Sequence, residues 1–320
     1  NRMDLARWLV TAENPMVSRV FVNRLWKIVF GHGLVRSLDD FGSQGTWPTH
    51  LSLLDWLAVE FVESGWDVKY IVKLMVMSGT YRQSSLVPED LQDRDPFNEL
   101  LARQGRFRLD AEMIRDNALA IAGTLELRVG GKSVKPYQPA GYWAHLNFPK
   151  RAYQNDHGED LYRRGVYTYW ARTFLHPSLL AFDAPSREEC SVERPRSNTP
   201  QQALVLLNDP TYVEAARVFG ERIVDGVTAG SEEAADLVER RIRFAYRETL
   251  SREPSPEELT ILRGLHDAHL GQYRTDGEAA SALINVGERS PKKGLDPVEV
   301  ATWTSLSRVL LNLHETITRS

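Results

Sequence analysis

The stretch "DAPSREECSVERPRSNTP", residues 183–200, brings Asp183, Arg187, Glu188, Cys190, Arg194 and Arg196 close together in the chain. Charges of both signs at that density suit a ligand-binding or catalytic site, and they equally suit a crosslinked ion-pair lattice, because perturbed charge clusters serve both ends. Cys190 as a nucleophile would need a thiolate, which Arg187 and Arg194 favour and Glu188 and Glu189 oppose. A buried, inert thiol is the expectation. Asn198 suits local side-chain to backbone bonding, and Thr199 with Gln202 spells a capping box that starts a helix.

A second concentration lies in "EDLYRRGVYTYWART", where Arg163, Arg164 and Arg172 accompany Tyr167, Tyr169 and Trp170. On a strand, Tyr167 and Tyr169 share one face and Trp170 shares the other with Val166. One face is expected in the core; the other could stack a sugar ring or cover apolar surface, with arginines available to a carboxylate or sulfate. Arg24 falls four residues after Val20 and four before Ile28, on the expected buried stripe of its helix. A guanidinium there needs a partner, and Asp39, Asp40 and Asp55 are the candidates for a buried ion pair, with a binding role as the alternative.

The candidate ligand-binding residues are therefore Arg24, Arg163, Arg172, Asp183, Arg187, Glu188, Arg194, Arg196 and Asn198, with no catalytic residue assigned. For metal-assisted hydrolysis, Asp39, Asp40 and His50 are the nearest carboxylate and imidazole grouping, but the twelve-residue calcium-loop pattern is absent and no metal is expected. "HDAH" (266–269) lacks a third ligand and reads as a solvated helix face. "VGGKS" (129–133) has Glu126 where a phosphate loop needs its first glycine. Neither a C-x-x-C-H haem attachment nor a G-x-S-x-G nucleophile elbow occurs.

These groups must be held by a sizeable fold, for which 320 residues are ample. With 42% hydrophobic and 26% charged residues the composition is that of a soluble globular protein, and a net charge of −4 gives no basic surplus for nucleic acid. One cysteine leaves the redox compartment open. There is no apolar run long enough to cross a membrane. The chain opens inside helical periodicity without an initiator Met, which reads as a fragment of a longer protein.

Helix starts are marked by a capping residue followed by proline at Asn14-Pro15, Asp95-Pro96, Thr199-Pro200, Asp209-Pro210, Ser255-Pro256 and Asp296-Pro297. Gln202, Glu258 and Glu299 extend three of these to capping boxes. Apolar spacing predicts helices after Asn14, over about 49–64, after Asp67 as the second arm of a hairpin, and after Asp110. From about 129 to 185 the texture turns to Gly, Pro and aromatics, with a short strand or hairpin expected in "GVYTYWART". Helices resume beyond Thr199: through "TPQQALVLLN", from Pro210 to about 224, and over about 231–250, 255–270 and 296–317. The reading is a mainly α, multi-helix domain with a small β element and long ordered central loops. Its parts are an N-terminal helical lobe (1–128), a loop-rich segment with short strands (129–198) and a C-terminal helical lobe (199–320), forming one continuous domain.

Five stretches carry a family resemblance: "LARWLVTAENPMVSRVFVNRLWKIVFGHGLVRSLDDFGSQG", "PTHLSLLDWLAVEFVESGWDVKYIVKLMVMSGTYRQSS", "RFRLDAEMIRDNALAIAG", "FDAPSREECSVERPRSNTPQQALVLLNDPTYVEAARV" and "WTSLSRVLLNLHETITRS". Together they resemble the planctomycete domain of unknown function 1553, the C-terminal part of planctomycete cytochrome c domain-containing proteins. The resemblance implies an exported, extracytoplasmic setting and partner N-terminal cytochrome-like modules, which would hold any haem, with no cofactor in this chain. It puts Asn23, Arg24, Asp39, Asp40, Gly42, Arg82, Arg108, Asp183, Arg187, Cys190, Arg196, Asn198 and Thr199 on family-pattern positions. Trp47, Leu51 and Gln201 depart from it. The family carries no assigned reaction. The functional expectation is substrate binding or catalysis in the oxidation of extracellular organic matter such as carbohydrate, with electrons passing to the cytochrome modules. The alternative is a non-catalytic module that docks other domains or envelope partners.

Overall fold

The computed structural model describes residues 1–145, 152–171, 174–228 and 234–319. Among them stand thirteen α-helices and one two-stranded sheet, so the chain is mainly α. It divides into two units, Asn1–Phe107 with Thr318–Ser320, and Arg108–Ile317. No helix among the described residues is long and apolar enough to cross a membrane.

The first unit holds α1 (Arg2–Leu9), α2 (Pro15–Phe30), α3 (Leu51–Glu63), α4 (Val68–Met77) and α5 (Glu89–Arg94). Asn14 caps α2 by accepting from the Met16 and Val17 amides, and Gly31 ends it at φ +89°. Asp67 caps α4 through the Tyr70 amide. The core of this unit joins Val22, Trp26, Val29 and Phe30 of α2 to Leu54, Leu57, Ala58 and Phe61 of α3 and to Ile71 and Met75 of α4.

Here the structure corrects the expected stripe of α2. Val22, Asn23 and Trp26 face inward, whereas Arg24 is exposed and Ile28 is 68% exposed. The buried polar residue is Asn23, whose amide donates to the Val35 carbonyl and accepts from the Val35 amide, both at 2.9 Å. Asp55 pairs with Arg19 at 2.7 Å rather than with Arg24. A neutral amide can satisfy both its groups on one peptide unit, which a guanidinium in the same place could not do.

The second unit holds α6 (Ala111–Ala122), α7 (Pro177–Ala181), α8 (Pro200–Asn208), α9 (Pro210–Gly226), α10 (Ala234–Leu250), α11 (Pro256–Thr275), α12 (Gly277–Ile284) and α13 (Pro297–Leu311). At its centre α9 and α13 are buried along most of their length, with Tyr212, Ala216, Phe219 and Ile223 in the same cluster as Trp303, Leu306 and Leu310. Gly220 permits the approach, since a Cβ there would stand 2.9 Å from the Thr304 amide nitrogen. Such a large core supplies the hydrophobic stabilisation that orders the loops laid over it.

Caps and turns account for several further corrections. Asp95-Pro96 does not start a helix: Asp95 closes α5 and accepts from the Glu99 and Leu100 amides in a turn. Of the three expected capping boxes only Ser255 with Glu258 is complete. Thr199 makes no side-chain cap, and Glu299 pairs with Arg241 instead. The region 165–171 contains no strand: Gly165–Tyr167 is a 3₁₀ turn, with isolated bridges from Val134 to Thr168 and from Ala171 to Phe174. The β element is the pairing of β1 (Phe107–Arg108) with β2 (Thr318–Arg319). His266 is no solvated residue either; it is buried with its ring 5.4 Å from Trp303, and His269 stacks on Tyr273.

Candidate functional site

The segment 183–202 is anchored at both ends. Asp183, at φ +60°, accepts from the Ser197 amide (2.7 Å) and from the Ser197 hydroxyl (2.9 and 2.8 Å). Gln202 is buried and donates to the Ser197 carbonyl and hydroxyl at 3.3 and 3.2 Å, while its amide oxygen accepts from Arg108 Nη1. Arg108 Nη2 reaches Asn198 Oδ1 at 3.1 Å. Burial lowers the Arg108 pKa, partly opposed by the charge of Asp183. These bonds tie Asp183 and Asn198 into the anchor of the segment.

The middle of the segment leans on α6. Arg194 donates to both oxygens of Glu112, at 2.6 and 3.3 Å, and lies 3.9 Å from Asp110. Burial opposes the Arg194 charge, but the Glu112 hydrogen bonds and charge outweigh it and hold its pKa above the ordinary value. Arg187 sits 3.8 Å over the Trp170 ring and 3.9 Å from Glu112, and Trp170 Nε1 donates to the Ser186 carbonyl. Glu188 and Arg196 are exposed. Cys190 is exposed as well, contrary to the expected buried thiol, because 186–193 runs along the surface between the two anchored ends.

Arg163 is also absorbed by the fold. Its guanidinium is buried, stacks 3.9 Å over Tyr167 and donates to the carbonyls of Lys132 (2.9 Å), Arg128 (3.2 Å) and Gly130. Arg172 lies outside the described residues. Arg24 belongs to the first unit and is exposed, while Arg163, Asp183, Arg187 and Arg194 belong to the second. Asp40 accepts from the Gly42 amide, Asp39 is exposed, and His50 Nε2 meets the Glu99 carbonyl at 2.9 Å. Among the described residues no group of three or more His, Cys, Asp or Glu is placed to hold a metal ion.

A concave site is present within the first unit, where the sequence pattern gave no motif. A cavity of about 280 Å³ is walled by Trp26, Phe30, Phe97 and Phe107 with Arg36, His50, Arg103 and Gln104. Trp26 and Phe30 stack with centroids 4.0 Å apart, and Arg36 lies 5.4 Å over Phe97. The loop that forms one wall is rigid: Asp95 holds the Glu99 and Leu100 amides, and the Asn98 side chain bonds both the amide and the carbonyl of Arg103. Gly105 is required there, because a Cβ would stand 2.5 Å from the Phe30 carbonyl oxygen. Arg103 Nη1 and Gln104 Oε1 are buried without a hydrogen-bond partner, one donor and one acceptor on residues lining the same cavity. The available signal was the set of turn-forming residues Asp95, Pro96, Asn98 and Gly105.

Glu112 was missed for another reason. It stands at the buried start of α6, beside Ala111, Ile114 and Arg115, where only its spacing from Arg115 hints at an inward charge. Arg115 itself is fully buried and donates to the Arg163 and Leu161 carbonyls, both at 2.6 Å.

The two units define a mainly helical protein with an anchored polar segment and an aromatic-walled cavity. The chain belongs to the family PSD1, protein of unknown function (DUF1553), whose model matches residues 1–266. No curated protein and no solved structure matches it.

Proposed function

We propose that this chain is the substrate-binding domain of an exported, cytochrome-associated planctomycete protein that oxidises extracellular organic matter, carbohydrate in particular. The observation that carries the reading is the first-unit cavity, which combines aromatic walls with Arg103 and Gln104, two buried residues that each keep one polar atom without a hydrogen-bond partner. Small-molecule sites are concave, apolar over most of their surface and equipped with a few fixed polar groups, and aromatic faces suit a sugar ring. Partner cytochrome modules and an extracytoplasmic location are what the family resemblance implies, and electron transfer would belong to those modules.

The test is saturation-transfer NMR with a panel of mono- and disaccharides on the wild type and on Phe97→Ala, a residue 67% exposed whose truncation spares the core. Ring-proton signals that disappear in the variant are expected. Silence across the whole panel overturns the reading.

A second reading, docking onto another module of the parent protein, is favoured by α1. None of its residues is buried, and Met3, Leu5 and Trp8 are each more than half exposed. Removing residues 1–9 should then abolish association with the N-terminal modules, and unchanged association would reject it.

A further inference from the structure

The charges around the cavity narrow its ligand. Three arginines line it, Arg36, Arg103 and Arg106, against one acidic residue, Glu99. Glu99 is already engaged by Arg36 at 3.3 Å. Arg103 is 8% exposed and donates Nη2 to the carbonyls of Asp95 and Pro96 at 2.8 and 3.0 Å, with Nη1 unpartnered. A guanidinium held only by neutral carbonyls lacks the counter-charge that burial demands. A planar carboxylate supplies both the charge and a second acceptor in the geometry a guanidinium favours.

The remaining groups describe the rest of the molecule. His50 Nε2 faces a carbonyl and therefore carries the proton, which leaves Nδ1 as an acceptor, and Gln104 Oε1 is a second acceptor. Both ask for hydroxyl donors. Phe97, Trp26 and Phe30 line it with aromatic surface. About 280 Å³ falls just below the roughly 300–1,000 Å³ typical of ligand pockets, which is room for a single ring and not an oligomer.

Resting on the substrate-binding reading above, we infer that the cavity takes a carboxylate-bearing, hydroxylated ring of monosaccharide size, a uronate. Calorimetric titration of the whole chain with glucuronate and with glucose tests it. Glucuronate is expected to bind at least tenfold more tightly, with the advantage shrinking as NaCl is raised and disappearing in Arg103→Gln. Because Arg103 also holds the 95–103 turn, that variant is paired with Arg106→Gln, an exposed position that should weaken glucuronate and leave glucose and the thermal midpoint unchanged. Equal or tighter binding of glucose overturns the uronate inference and leaves the carbohydrate-binding reading standing. Silence with both sugars also overturns the inference, and the reading falls with it only when the wider panel of neutral sugars is silent too.

Discussion

Arg194 grips Glu112 with both terminal nitrogens, Nη1 at 2.6 Å from one carboxylate oxygen and Nη2 at 3.3 Å from the other. The pair ties the exposed 186–193 run to the first turn of α6, and Glu112 is 9% exposed. Glu112→Gln keeps the shape and removes the charge, so it should lower unfolding free energy by about 2 kcal/mol, as for hydrogen bonds to charged groups. Arg187→Ala should cost about 0.5–1 kcal/mol, the value of an exposed cation–π contact. Urea denaturation of the two variants checks both values; equal losses would mean that the Arg187 contact matters as much as the Glu112 charge.

Acid should weaken the fold in a window set by His176. Burial, followed by the positive charge of Arg115, depresses its pKa to about 4, while its Nε2–H donates to the Tyr137 carbonyl and its Nδ1 accepts from the Ser178 hydroxyl. A folded-state pKa below the unfolded value near 6.5 means that the unfolded chain takes up the proton first. Stability is therefore fully present above about pH 6.5, falls as pH drops towards 4, and levels off below that, with a total contribution of about 3 kcal/mol. Urea midpoints at pH 7, 5.5 and 4 should show this slope in the wild type and a flatter one in His176→Gln. Glu258, held down to about 2 first by Arg252, adds a separate loss only below pH 4.5.

Arg163→Lys should loosen residues 128–132 without disturbing the main core. A lysine cannot reach the Arg128, Gly130 and Lys132 carbonyls together or stack flat on Tyr167. The expected cost is about 2 kcal/mol, with faster amide hydrogen exchange confined to that loop. Unchanged exchange there would show that the loop is held by other contacts.

Gly105→Ala should damage the cavity. The new Cβ meets the Phe30 carbonyl at 2.5 Å, and neither backbone can give way without moving an aromatic wall. A stability loss of about 1–3 kcal/mol is expected, together with weaker sugar signals in saturation-transfer NMR. A variant that binds as well as the wild type would separate the cavity from ligand binding.

Much of the helical framework was legible, because Pro after a capping residue and apolar spacing are local signals. Asn14, Asp67, Asp209, Ser255 and Asp296 all cap helices as their neighbours imply. Asp95 looked the same in sequence yet closes a helix, because its carboxylate finds amides in the turn that follows. Arg24 and Asn23 are adjacent, and one residue of rotation, about 100°, decides which is buried. That choice rested on Val35, twelve residues away, which no helical period reports. The cavity was illegible for the same reason: its walls come from α2, the following loop and the 95–107 turn, and long-range assembly leaves no periodic trace. In the 183–202 stretch the density of charge was plain, but its chief partner, Glu112, stands far back in the chain.

The double anchoring of 183–202 bears on how this protein would survive proteolysis. Residues 186–193 are exposed and offer a protease both arginine and glutamate sites, yet the flanks are knotted by Asp183 to Ser197 and by Gln202 to Arg108. A single cut there would leave two polypeptides that travel together on a sizing column and part only in denaturant, so an intact elution profile is no guarantee of an intact chain.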